Sequence, residues 1–435
     1  MKKMLIPLFL SSMFLCAPAL GENLIEIYQL AEENDAQLRA AQAVRDSTFE
    51  AKPQAESKLL PSLSLTTSAS RVFSRVNASS SGASRTAYNK GNLTLSLTHP
   101  LYHRGYLVEL EQADKQIAQA EVNYAAEKQR LIVRVAQSYF DILSAKDALE
   151  FAQAETAAIE RQLDQAKQRF EVGLIAITSV HEAQAAFDQS RADLIQAENV
   201  LDNAREALRE ITNQPVGKLA TVADELPLNR PQPDSIDQWG KGAQQQNLAI
   251  QASRYNAEIA KQTIEVKQAG DAATVNLVGS HALALSASPT GTDSNTTTVG
   301  IQLSMPLYDG GATDSLTRQA RFDYQAALES LDKERRSVNR QVRDAYRSVV
   351  ASISSVEALK ASTVSAQSAL EATEAGFEVG TRTMVDVLNA QRDLFRARSN
   401  YSKVRYIYIL SGLQLKQAGG SLSIDDIQQL NNALK

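Results

Sequence analysis

Cysteine is all but missing from this 435-residue chain, and the single one, Cys16, sits near the start. A basic opening (Lys2, Lys3) leads into a short apolar stretch, residues 4–16, and then into small residues at 17–21. That order is a secretory signal peptide, with cleavage expected after Gly21 and Ala19 as a second site. Leu15 stands where a lipid-anchored leader would need a small residue, so Cys16 is expected to leave with the leader. The mature chain then has no thiol, which excludes disulfides and cysteine chemistry. Long apolar runs are also missing: none approaches the ~20 residues that a spanning helix needs. The four histidines, His99, His103, His181 and His281, form no H-E-x-x-H pair, so no metal is expected. No phosphate loop and no nucleophile elbow occur, so neither a cofactor nor catalysis is expected. A net charge of -5 argues against nucleic acid as a partner.

Glycine and proline are absent where their absence says most. Residues 106–172 and 312–375 contain neither, and 174–214 and 381–411 are also free of both. Gaps of that length favour long helices, the first reaching about 100 Å at 1.5 Å per residue. Inside them Leu131, Val135, Tyr139 and Ile142 recur at steps of four and three, as do Ile159, Leu163, Ala166 and Phe170. This is the spacing of helices packed side by side. Much of the stripe is alanine, so such helices need long neighbours.

The two long runs belong to a repeat. Leu93, Leu95, Leu97, Pro100, Leu101 and Tyr102 match Val299, Ile301, Leu303, Pro306, Leu307 and Tyr308. Val135 and Tyr139 match Val342 and Tyr346, and Phe170-Glu-Val-Gly173 returns as Phe377-Glu-Val-Gly380. The chain is therefore two copies of one unit, and the repeat governs the choice of fold. Each copy is expected to hold a first helix (24–51; 243–269), two strands, a long helix, a glycine turn and a returning helix. The expected divisions are a leader at 1–21, a first repeat at 22–215 and a second at 239–418, with a tail at 419–435. Between the repeats, 216–238 is proline-rich, and Pro215, Pro227, Pro231 and Pro233 exclude a continuous helix there.

The strand segments alternate apolar and hydroxyl residues, most strictly at Leu93-Thr-Leu-Ser-Leu97. A bilayer-spanning β-strand needs about 9–11 residues with one apolar and one polar face. The stretches 77–92 and 286–296 read as exposed loops, and Arg75, Asn77 and residues 79–81 as candidates for a receptor surface. Four spanning strands cannot close a barrel, because bacterial barrels begin at about eight strands. An open edge in lipid costs several kcal/mol per unsatisfied backbone group. Copies of the chain must pool their strands, and a duct wider than a side-chain-filled barrel needs three copies and twelve strands.

These features together resemble the TolC family of outer-membrane efflux and secretion ducts, across essentially the whole mature chain. The residues that carry the resemblance are Gly380-Thr-Arg-Thr-Met-Val-Asp-Val-Leu388, Gly173-Leu-Ile-Ala-Ile-Thr178 and Pro306-Leu-Tyr-Asp-Gly-Gly311. The resemblance implies a mixed α and β membrane protein: a long antiparallel α-helical barrel plus a 12-stranded transmembrane β-barrel formed by a homotrimer, four strands per protomer. It implies an exit duct in the outer membrane of a Gram-negative bacterium, with 216–238 and 419–435 in an equatorial belt. Its partners would be outer-membrane lipid, a periplasmic adaptor and an inner-membrane RND, ABC or MFS transporter.

The resemblance also assigns a site at the helical turns. Arg382 matches an arginine that holds the periplasmic gate shut, and Thr178 matches one of its acceptors. The chain departs from the family pattern at Phe377, where a tyrosine is usual, and at Ser179, where an aspartate is. Closure is therefore expected to rest on Arg382 bonding Thr178 or Ser179 and on Phe377 packing. Asp386 matches a position facing the constriction, where threefold symmetry makes a carboxylate ring that attracts cations. Asn389 stands where the family has a second acid. Gly173, Leu174, Gly380 and Thr381 match the turns that receive the adaptor. Two other readings are a periplasmic adaptor and a secreted coiled-coil protein. Neither needs amphipathic strands at equivalent points of both repeats.

Overall fold

The computed structural model describes residues 22–78, 82–223, 226–288 and 291–432. The expected leader with Cys16, and loop residues 79–81, lie outside them. In chain order the first repeat holds α1 (Leu24–Asn34), α2 (Ala36–Phe49), α3 (Ala51–Ser57), β1 (Ser62–Ala78), β2 (Gly82–Tyr102), α4 (Arg104–Glu171) and α5 (Ile177–Thr212). The second holds α6 (Ile236–Gln246), α7 (Leu248–Gln268), β3 (Thr274–Ser286), β4 (Ser294–Ser304), α8 (Ala312–Glu378) and α9 (Met384–Gly419), and α10 (Ile424–Asn431) follows.

The glycine- and proline-free runs are the long helices: α4 has 68 residues and α8 has 67. Leu131, Val135, Tyr139, Ile159, Leu163 and Ala166 of the expected stripe are buried in α4, while Phe170, its last member, is 42% exposed. The first helix of each repeat is broken where one continuous helix was expected. Asp35 caps α2 by accepting the Leu38 N–H at 2.7 Å, and Asn247 caps α7 by accepting the Ala249 N–H at 2.9 Å. Short polar side chains prefer this role to a helix interior.

Each long helix changes partners along its length. Near its start α4 meets α2 and α3, through ion pairs Lys52–Asp114 (2.9 Å) and Lys58–Glu109 (2.7 Å). It also meets α7, where the Gln112 amide donates to the Ile259 carbonyl (3.0 Å) and to the Thr263 hydroxyl (2.8 Å). Past its middle it pairs with α5, and α8 pairs likewise with α9. At the crossover α1, α10 and residues 216–223 wrap the shaft. Tyr139, fully buried, donates to the Ala220 carbonyl at 2.7 Å, and its repeat counterpart Tyr346 donates to Asp234 at 2.5 Å. The proline-rich segment is thus tied to the midpoint of both long helices by the same residue type. α6 takes over its last three residues, 236–238.

The strands form one antiparallel sheet in the order β1-β2-β3-β4. They are longer than the alternating leucines suggested: β1 has 17 residues and β2 has 21. Residues 82–92, expected in a loop, belong to β2. The register puts Leu63 opposite Leu97, Leu65 opposite Leu95 and Leu277 opposite Ile301, so the apolar residues share one face. That face is bare in the single chain, with Leu65 66% and Ile301 71% exposed. The other face is hydroxyl-rich: Ser64 lies opposite Ser96, Thr66 opposite Thr94 and Ser280 opposite Thr298. Among the described residues no helix is long and apolar enough to cross a membrane.

Candidate functional site

Farthest from the sheet, α4 turns into α5 and α8 turns into α9. Both turns close in the same way. The Leu174 N–H reaches back to the Arg169 carbonyl (2.8 Å) and the Gly173 N–H to that of Phe170 (2.9 Å). In the second repeat Thr381 bonds the Gly376 carbonyl (2.8 Å) and Gly380 that of Phe377 (3.1 Å). These paired bonds need a left-handed residue just past each helix. Gly173 has φ 75° and Gly380 has φ 77°. No atom crowds either position, so the dihedral alone demands glycine. Gly173, Leu174, Gly380 and Thr381 form the exposed end of the molecule, with Leu174 73% exposed.

The turns differ in how the next helix starts. α9 opens with a reciprocal cap. The Asp386 N–H donates to the Thr383 hydroxyl (3.2 Å), and the Asp386 carboxylate accepts the Thr383 N–H and hydroxyl, each at 2.9 Å. The Thr383 backbone bond, then the Thr383 hydroxyl, and then the charge of Arg382 hold the Asp386 carboxyl below the usual carboxylate range. Sequence reasoning missed this cap, although Thr383-Met-Val-Asp386, a Thr followed by an acid at the third position just before an apolar run, is the signal that finds it. α5 opens on Ala176, which has no side chain to cap with.

Phe377 sits between the two hairpins. It is half-buried against a cluster of Ile159, Leu163 and Ala166 from α4, Ala183 from α5, and Met384 and Leu388 from α9. It also touches a second cluster, Leu370, Val387 and Leu394, inside its own hairpin. The Arg169 guanidinium lies over its ring, 4.8 Å from the centroid. A cation over an aromatic face is attracted by the ring quadrupole. Sequence reasoning found Phe377 and missed Arg169, because the two are far apart in the chain and belong to different repeats.

Arg382 is exposed and folds over its own turn, its stem lying where a Cβ on Gly376 would be. Among the described residues no hydrogen bond joins it to Thr178 or Ser179 within the protomer. Thr178 is exposed and Ser179 half-buried at the start of α5. Asn389 accepts from Arg392 (3.1 Å) one turn beyond Asp386. The described residues contain no group of three His, Cys, Asp or Glu able to hold a metal ion.

The comparisons with known proteins agree with this geometry. The sequence profile of the family described as Outer membrane efflux protein matches residues 27–214 and 239–421, one match for each repeat. The outer membrane protein TolC of Vibrio cholerae is 44% identical over 440 residues, covering 100% of this chain and 99% of that protein. The proteases secretion protein PrtF of Dickeya chrysanthemi is 30% identical, covering 99% of this chain and 94% of that protein. Among solved structures, the CmeC outer membrane channel of Campylobacter jejuni superposes with a TM-score of 0.79 at 17% identity, covering 95% of this chain and 90% of CmeC. The adaptor and coiled-coil readings fall with these matches. A sheet made for lipid, two paired hairpins and a family match in each repeat have one common meaning: the chain belongs to the TolC family of outer-membrane efflux proteins and is an outer-membrane exit duct for efflux and type I secretion.

Proposed function

We propose that three copies of the chain close this duct, that its far end is a gate, and that the gate opens when a periplasmic adaptor docks there. The observation that carries the proposal is the four-stranded sheet with two free edges and one bare apolar face. Lipid offers nothing to bond those edges, so neighbours must. Three sheets supply twelve strands, enough for an open lumen lined by the hydroxyl face. The helices of the three chains then line up as a barrel across the periplasm.

At the gate, Phe377 and the apolar cluster hold the two hairpins of a protomer together, with Arg169 covering the ring. Arg382 lies free to reach Thr178 or Ser179 of a neighbouring protomer. Asp386 from each copy forms a ring of carboxylates, and Asn389 adds no second one. Gly173, Leu174, Gly380 and Thr381 receive the adaptor, and an inner-membrane transporter of the RND, ABC or MFS type supplies the energy. The duct itself carries out no reaction. The likeness to a protein named for protease secretion supports proteins as well as small molecules as cargo.

Planar-bilayer recordings of the purified mature protein test the gate. The wild type is expected to show a small, cation-selective conductance, and Asp386→Asn to lose most of that selectivity. Equal reversal potentials for the two proteins would remove Asp386 from the constriction.

A further inference from the structure

From just below the outer rim of the apolar band the first hairpin continues alone. β3 pairs with β2 as far as Ser286 opposite Lys90, and one further bond runs from the Ala287 N–H to the Asn89 carbonyl (3.0 Å). From Val72 opposite Tyr88 to Ala78 opposite Gly82, seven ladder pairs of β1 and β2 therefore project as a two-stranded ribbon, with Arg71 opposite Asn89 at its base. At about 3.3 Å per residue this is roughly 23 Å of strand. It points away from the helices, and so out of the cell.

The ribbon has one sign of charge. Residues 57–108 contain no Asp or Glu, while the projecting part and its base carry Arg71, Arg75, Arg85 and Lys90. All four are exposed, and among the described residues none is in an ion pair. Asp293, the one acid of the second hairpin, accepts the Ser286 backbone N–H instead (2.9 Å). Arg75 stands directly opposite Arg85 in the ladder. Like charges in that position repel and destabilise an antiparallel pair. A marginal two-stranded ribbon gains nothing from such a pair unless an anion lies between the two guanidinium groups.

The placement of these residues identifies the anion. Along β1, Arg71, Phe73 and Arg75 continue the alternation of Leu63 and Leu65, so they lie on the lipid-facing side, and Arg85 joins them through the ladder. Lys90, opposite Ser70, lies on the inner face. Arg71 is eight residues above Leu63, about 26 Å along the strand and about 19 Å in height at a tilt near 45°. Arg75 is about 9 Å higher by the same measure. An apolar band is about 25 Å tall, so the two arginines straddle its outer rim. Phe73, 77% exposed, sits between them, and the Arg71 guanidinium is 5.7 Å from its ring centroid. Aromatic rings favour that level of a membrane, and guanidinium groups bind phosphate through paired hydrogen bonds.

We propose that Arg71, Arg75 and Arg85, on the outward face of the β1–β2 ribbon, bind the phosphate groups of a phosphorylated glycolipid of the outer leaflet, with Phe73 seated at its acyl boundary. The site repeats in each copy of the chain and tethers the duct to the leaflet around it.

Native mass spectrometry of the full mature protein in detergent tests the assignment, with three probes: bis-phosphorylated lipid A, the same lipid dephosphorylated, and inorganic phosphate. The wild type is expected to hold the phosphorylated lipid at least tenfold more tightly than the dephosphorylated one. The variant carrying Arg71→Gln, Arg75→Gln and Arg85→Gln should lose at least tenfold, and Lys90→Gln on the inner face should lose nothing. Equal retention by wild type and the triple variant, or of both lipids by the wild type, overturns the proposal. Displacement of the lipid by millimolar inorganic phosphate overturns the lipid as source and leaves a simple ion site. Should the triple variant fail to assemble, Arg75→Gln alone and the wild-type comparison of the two lipids decide the matter.

Discussion

The two helical turns at the periplasmic end share a backbone and differ in almost every side chain that matters. Both close with the same pair of bonds around a left-handed glycine. In the second repeat Phe377 is half-buried between the hairpins, while its counterpart Phe170 is 42% exposed. Thr383 and Asp386 cap α9, while their counterparts are Ala176, without a cap, and Ser179. Gly376 leaves room for the Arg382 stem, while its counterpart Arg169 reaches across to Phe377. The repeat supplied two equal hairpins, and this end of the molecule has divided the labour. The second hairpin is locally fixed and carries the anchor. The first supplies the surface it packs on and lacks a side-chain lock of its own.

The anchor gives the strongest test of that division. Phe377→Ala removes a half-buried ring worth about 2 kcal/mol of packing, whereas Phe170→Ala falls within about 0.5 kcal/mol. In planar bilayers Phe377→Ala should raise the open population roughly tenfold or more, and Phe170→Ala should leave it unchanged. Equal effects would mean that the two hairpins are equivalent after all.

The caps come next. Thr383→Ala should cost about 1 kcal/mol at the start of α9, read as roughly fivefold faster amide exchange at residues 384–388. Ala176→Ser should slow exchange at the start of α5 by a similar factor, making the turns more alike. The cap of α9 is also acid-labile. The folded protein holds Asp386 below its ordinary value, so the contribution is complete above the ordinary carboxylate pKa of about 4. It is lost as the pH falls below that, through the depressed value. The start of α5 has no acid in its first turn, so exchange there should not follow that titration.

The smallest effect belongs to Arg169. Arg169→Gln forfeits about 0.5–1 kcal/mol of attraction to the Phe377 ring. It should raise the open population a few-fold in wild type and add nothing in Phe377→Ala. Additive effects in that double variant would separate Arg169 from the ring.

Much of this architecture was legible in the sequence, for reasons the structure makes plain. Helix length could be read because glycine and proline are the residues a helix excludes, and α4 and α8 fill the gaps between them. Even there, Gly376 lies inside α8, near an end where its cost is small. Strand length could not be read, because alternation marks only the part of a strand with one face in lipid. Above Arg71 the ribbon is held by its ladder alone, and its Ser, Arg, Asn and Gly residues look like a loop. The breaks at Asp35 and Asn247 were written as capping residues but lay inside otherwise helical patterns. At the turns the glycines and Phe377 could be found from the repeat. Arg169 could not, because nothing local records which face of α4 meets α8.

The matched lengths of the helices bind the two repeats to each other's history. α4 and α8 have 68 and 67 residues, and α5 and α9 have 36 each. α4 and α8 run as parallel rulers from one sheet to one end, and α5 and α9 run back from that end to the midpoint. An insertion of four residues in a single repeat would push its turn about 6 Å beyond the other and rotate it by more than a full helical turn. Phe377 would then face no pocket, and this end of the molecule would carry hairpins of two lengths. A protein built this way can grow or shrink only by editing both halves together, so the distance from its sheet to its turns is recorded twice in one chain.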